Sequence, residues 1–295
     1  QLMSSPDLLH VLHITVPPEL EAPMEAAFAQ IDIAVSRWEA TDDHEVRFDI
    51  FFEDAAEAAR FEAILRDLLG KLSGNSPWTI VVTPIPNEDW QESWKAYFHV
   101  ERVSERIVTK PSWEPYAPTP TDCVIEIDPG MSFGTGQHAT TRGCLRFLDT
   151  LANTPQAKSF LDLGCGSGIL SIAAAKLGYG PIVAIDIDPD AIRVSKENFD
   201  HNDVSDQIDV ATGDVSALAV EHPYSVVAAN ILAPVLLGNA ESIASTVARP
   251  QGHLLLAGIL TEQYDEVRDA YTALGFEEID RATEAEWTSG CFRAH

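Results

Sequence analysis

A chain of 295 residues with 45% apolar side chains has room for one large domain or two ordinary ones and enough apolar content to fill a core. Its 46 acidic against 19 basic side chains give a formal charge of −27. That charge repels nucleic-acid phosphates and anionic lipid, and suits a basic protein partner, a soluble surface or a salty interior. The four cysteines, Cys123, Cys144, Cys165 and Cys291, form no C-x-x-C pair and no metal-ligand spacing. No apolar run reaches the roughly 18 residues of a membrane span, and the N-terminus shows no charged-then-apolar leader. A reducing cytoplasm, no membrane and no metal are the expectations.

From the N-terminal end, residues 10–16 alternate like a strand and stop at Pro17-Pro18. A helix is predicted over 19–31, strands over 33–39 and 46–52, and a helix over 55–72 with Phe61, Ile64, Leu65, Leu68 and Leu69 on one face. A strand at 78–82 completes β-α-β-β-α-β, the ferredoxin-like order. This domain, residues 8–85, has no acid/base cluster and no glycine loop, so it reads as a substrate-recognition module. Residues 86–120 read as a connector rich in proline and carrying Trp90, Trp94, Tyr97, Phe98, Trp113 and Tyr116. Its aromatics suit packing between two domains or a wall of the active site. A strand at 123–127 follows, then Gly130, Gly134 and Gly136, then a helix over 137–151 with Thr140 and Thr141 in its first turns and His138 placed to cap it.

Residues 121–295 read as an α/β domain with a mostly parallel, seven-stranded, Rossmann-like sheet. Its strands are predicted near 159–163, 181–186, 207–211, 224–229, 252–257, 275–281 and 287–294. The stretch from Lys158 to Gly178 is its centre: a buried strand, glycines at 164, 166 and 168, then an alanine-rich helix. The glycines admit a ligand close to backbone, and the helix N-terminus favours an anion. The next strand ends at Asp186, 22 residues past Gly164, suited to a ribose diol. A dinucleotide loop is G-x-G-x-x-G, so the G-x-G-x-G spacing here opposes a nicotinamide cofactor. Strand, G-x-G-x-G, helix, strand and acid together resemble the class I S-adenosylmethionine-dependent methyltransferases.

Further stretches narrow the resemblance: DPGMSFGTGQHATT at 128–141, ANILAPVL at 229–236, NEDWQESWKAYF at 87–98, KPSW at 110–113, LLLAGIL at 254–260 and EWTSGCF at 286–292. With DLGCGSGIL and AIDIDPDAI they resemble the ribosomal protein L11 methyltransferases over roughly residues 85–295. The resemblance implies S-adenosyl-L-methionine as methyl donor, S-adenosyl-L-homocysteine as product, and lysine and N-terminal amines of ribosomal protein L11 as acceptors. A sulfonium methyl is already a good electrophile, so no metal is expected; the −27 charge opposes a direct nucleic-acid partner, and a monomer is expected. Thr141, Gly164, Asp186 and Asn230 carry over as cofactor contacts. Gly166 and Gly168 lie in the same loop, and Phe133 and Gly134 in the glycine-rich motif that covers the cofactor. Asn230 is the candidate catalytic residue. Many amine methyltransferases have Asn-Pro-Pro-aromatic here; this chain has Asn230-Ile231-Leu232-Ala233, so the group that stacks on the target amine stays open among Trp94, Trp113 and Trp287. Asp162 either bonds the loop or reaches the methionine amine, and Asp214 either meets adenine or shapes a turn. Another protein, or a small-molecule amine, is the alternative substrate.

Overall fold

A computed structural model describes residues 8–21, 23–24, 28, 36–39, 46–52, 54–72, 76–86, 98–128, 138–154, 158–218 and 222–295. The chain divides into two compact units, Gln1–Tyr97 and Phe98–His295.

The first unit has strands β1 (Leu8–Val16), β2 (Ser36–Glu39) and β3 (Val46–Phe52), helix α1 (Ala55–Leu72) and strand β4 (Thr79–Pro86). The sheet order is β2-β3-β1-β4, with every pair antiparallel. Period two buries Leu12, Ile14 and Val16 of β1 with Phe48 and Ile50 of β3 in one core with Ala58, Leu65 and Leu69 of α1. Of the helix expected over 19–31, the described residues 21, 23, 24 and 28 are helical, and Met24 and Phe28 are buried. Two sequence expectations need correction. Ile64, expected on the buried face of α1, is 47% exposed. It lies about 100° around the helix from Leu65, outside the stripe set by 58, 65 and 69. The fourth strand runs on through Pro84 to Pro86, because β4 is an edge strand, where a missing N–H is tolerated.

In the second unit, β5 (Glu101–Arg102), β6 (Ile107–Lys110) and β7 (Cys123–Glu126) form a small sheet in which β6 and β7 are parallel. Helix α2 (Ala139–Leu151) holds the turn between β5 and β6. Its buried Asp149 accepts from Ser104 Oγ at 2.6 Å, Arg106 Nε at 2.6 Å and the Arg106 backbone at 3.1 Å. Asp122 likewise accepts from Arg102 and Tyr116, at 2.9 Å and 2.7 Å. Residues 98–120 of the expected connector are therefore folded elements of the second unit.

The main sheet alternates strand and helix: β8 (Phe160–Leu163), α3 (Ile169–Lys176), β9 (Ile182–Asp186), α4 (Pro189–His201), β10 (Ile208–Thr212) and β11 (Val226–Asn230). Short helices α5 (Ala233–Gly238) and α6 (Ala240–Ser245) lead to β12 (His253–Leu260), α7 (Tyr264–Ala273), β13 (Phe276–Glu284) and β14 (Trp287–Ala294). The order β10-β9-β8-β11-β12-β14-β13 is parallel through β12, and β14 and β13 close it as an antiparallel hairpin. Both faces are covered, which explains the near-continuous apolar strands: Phe160 joins one core, Leu161 and Leu163 the other. Strand order reverses between β8 and β11, and a parallel sheet opens a crevice at the carboxyl ends of such a pair.

Candidate functional site

A cleft of about 410 Å³ lies at that switch point, lined by the loop after β8, the end of β9, the turn after β10 and the end of β11. Thr141, Gly164, Gly166, Asp186, Asp214 and Asn230, six of the residues expected from the sequence, line it together.

The loop is shaped by its glycines. Gly164 and Gly168 have φ of +72° and +79°, in the left-handed region that costs other L-residues about 1–2 kcal/mol. A Cβ on Gly164 would lie 2.4 Å from Ile231 Cγ2, and one on Gly168 would lie 2.4 Å from the Phe199 ring. Dihedral and space both exclude a side chain. The Gly164 and Cys165 N–H groups bond Ile185 O at 2.8 Å and 3.1 Å, which pins the loop to β9. Gly168 is the N-cap of α3. It thus shapes the loop, whereas Gly164 and Gly166 face the cleft.

Asp186 ends β9. One carboxylate oxygen accepts from Gly166 N–H at 2.8 Å and the other from Asp188 N–H at 3.0 Å. These bonds fix the carboxylate at the cleft wall, and each oxygen keeps lone-pair capacity for further donors, such as the two hydroxyls of a ribose. Ile187 follows at once and is 67% exposed; Leu232, past the end of β11, is 65% exposed. Both line the cleft. Large exposed aliphatic side chains at a cleft suit a flat apolar ligand face, as in adenine. Neither Ile187 nor Leu232 is among the site residues expected from the sequence; the signal for Ile187 is an apolar residue straight after the strand-end acid. Asp214 shapes a turn, accepting from Ser216 N–H at 2.8 Å, and it lines the cleft.

Asn230 stands at the end of β11. Its Nδ2 is 3.5 Å from the Thr141 hydroxyl, and Thr141 is fully buried in α2. Its Oδ1 is buried and has no hydrogen-bond partner among the described residues. A buried acceptor left unmade costs about 1–3 kcal/mol, so this oxygen is placed for a donor that arrives with a ligand. His138 is the N-cap of α2, accepting from Thr140 N–H at 3.4 Å. Phe133 and Gly134 lie outside the described residues, as does Trp94. Among the described residues no group of three or more His, Cys, Asp or Glu is placed to hold a metal ion.

Asp162 lies beneath the loop, 1% exposed, and accepts from Ser171 Oγ of α3 at 2.7 Å. It therefore bonds the helix that follows the loop. Burial pushes its carboxyl up from 3.8 to about 7, and the nearby Asp186 charge adds to this. The folded state then holds a proton that the unfolded chain has released, so stability falls as pH rises from about 4 to 7 and levels off above. Asp162→Asn removes that titration. Its stability relative to the parent should rise across this window, by at most about 4 kcal/mol at 1.36 kcal/mol per pH unit. Urea unfolding at about pH 5 and pH 8 reads the difference. Parallel curves for the two proteins would mean that Asp162 is ionised throughout.

Comparison with known proteins gives concordant matches. A family model described as ribosomal protein L11 methyltransferase (PrmA) matches residues 22–294. A ribosomal protein L11 methyltransferase of Citrifermentans bemidjiense is 45% identical over 217 residues, covering 72% of this chain and 69% of that protein. The enzyme of that name from Geobacter sulfurreducens is 40% identical over 246 residues, covering 83% of this chain and 80% of its own. A crystal structure of a ribosomal protein L11 methylase from Lactobacillus delbrueckii subsp. bulgaricus superposes with a TM-score of 0.59 at 28% identity, covering 67% of this chain and all of that one.

Proposed function

The chain belongs to the ribosomal protein L11 methyltransferase family, and on that premise we propose that it transfers methyl groups from S-adenosyl-L-methionine to lysine and N-terminal amines of ribosomal protein L11. The observation that carries the mechanism is the buried Oδ1 of Asn230, without a partner among the described residues, beside a glycine loop and a fixed Asp186. When bound, S-adenosyl-L-methionine supplies a methyl group already activated by its sulfonium. The residues of the chain do the rest. Asp186 accepts from the ribose diol. Ile187 and Leu232 take the adenine faces, with Asp214 at the polar edge. Loop N–H groups at the start of α3 favour the methionine carboxylate. Asn230 Oδ1 accepts an amine N–H and aims the nitrogen lone pair. A free lysine has a pKa of about 10.4, so the site must favour the neutral amine by excluding water, and alignment is then worth roughly 7–11 kcal/mol.

The first unit has the ferredoxin-like order and the second unit holds the cleft. The −27 charge suits a basic protein substrate. Accordingly the first unit recruits L11, and residues 98–295 alone should bind S-adenosyl-L-methionine nearly as well as the whole chain while losing most L11 methylation. Calorimetry and labelled-methyl transfer on the truncated and full chains measure both quantities. Full transfer to L11 by residues 98–295 would remove the recruiting role from the first unit.

A further inference from the structure

The start of α2 brings together an aromatic pair far apart in sequence. His138 is tied down by its bonds to Thr140, 2.8 Å to the hydroxyl and 3.4 Å from the N–H. Its ring lies 5.0 Å from that of Trp287, at 66°, in edge contact. Three residues later on the same turn, Thr141 meets Asn230. In the sheet Asn230 pairs with Ala257, whereas Trp287 pairs with Leu260, three residues further towards the carboxyl end of β12. Through His138, Trp287 therefore lies one turn of α2 away from the Thr141–Asn230 contact, and it is half-buried. Neither ring is among the described residues that line the cofactor cleft, but Thr141, one turn along α2 from His138, is.

The electrostatics favour a cation at this rim. Burial pushes the His138 imidazole below its usual range, which keeps the ring neutral at pH 7. Glu284 is committed to Arg142 and lies 3.7 Å from Arg146. Glu286, the exposed neighbour of Trp287, forms no ion pair with a described residue, and its charge acts on His138. An aromatic ring beside an unpaired carboxylate attracts an ammonium group.

We propose that Trp287, braced by His138 and assisted by Glu286, is the aromatic wall that receives the ammonium end of the target side chain before it reaches Asn230. This rests on the amine-methyltransferase reading above. Loss of a cation–aromatic contact raises KM for the protein substrate and leaves cofactor affinity alone. In the full chain, Trp287→Leu should raise KM for L11 roughly tenfold with cofactor affinity within about twofold, and Trp287→Phe should restore KM to within about threefold. Unchanged KM in Trp287→Leu overturns the inference. So does a Trp287→Phe variant as defective as Trp287→Leu, or a matching loss of cofactor affinity, since either assigns the ring to packing. The unsubstituted chain, assayed in parallel, separates this from the parent reading: if it transfers no methyl to L11, the function itself fails and the inference falls with it.

Discussion

Asn230→Ala should lower turnover on L11 on the order of a hundredfold while leaving S-adenosyl-L-methionine affinity within a few-fold of the parent. The expectation follows from the state of the side chain. Its Oδ1 is buried with no partner among the described residues, and its Nδ2 is 3.5 Å from Thr141. The protein itself gains little from that oxygen, so truncation to alanine removes an unmet acceptor at small structural cost. The loss falls on the step in which an amine must be held with its lone pair aimed at the methyl group. A contact used mainly in the transition state shows in kcat more than in ground-state binding. Single-turnover kinetics and calorimetry on the same preparation give the two numbers. If affinity falls as far as turnover, Asn230 is a cofactor ligand and the amine is oriented by something else.

Asp186→Ala should weaken cofactor binding tenfold to a hundredfold, since a hydrogen bond to a charged group is worth roughly 1.5–3 kcal/mol. This substitution has a second effect. The carboxylate also holds the Gly166 and Asp188 N–H groups at 2.8 Å and 3.0 Å, so alanine loosens the loop as well as losing the ribose. Asp186→Asn is the intermediate case: its amide oxygen can still accept from Gly166 N–H, while its NH2 group no longer accepts from Asp188 N–H and the charge is gone. It should fall between the parent and Asp186→Ala. Equal affinity in all three proteins would remove Asp186 from the cofactor site.

Much of this was legible in the sequence, for physical reasons that differ by region. The inner strands β8, β11 and β12 are buried on both faces, so they read as apolar runs with turn residues between them, and observed bounds such as Phe160–Leu163 and, for β9, Ile182–Asp186 lie close to those expected. The glycine loop was legible because left-handed dihedrals at Gly164, Gly166 and Gly168 leave few other residue choices. What stayed hidden depends on contacts distant along the chain. Residues 98–120 carry a strand of only two residues and owe their place to Arg106 and Asp149, 43 positions apart, which no periodicity announces. The Thr141–Asn230 approach spans 89 positions. Ile187 and Leu232 read as ordinary apolar residues, and only their exposure at a cleft marks them. Proline in β4 hid the end of a strand, because only the sheet order shows that β4 is an edge.

Mass spectrometry of purified ribosomal protein L11, after incubation with the full chain and isotopically labelled S-adenosyl-L-methionine, reads methyl transfer to nitrogen itself. Labelled methyl groups should appear on nitrogen, at lysine side chains or the N-terminal amine, and be lost when Asn230→Ala replaces the parent chain. An L11 mass that stays unchanged while the chain demonstrably binds the cofactor would contradict that transfer.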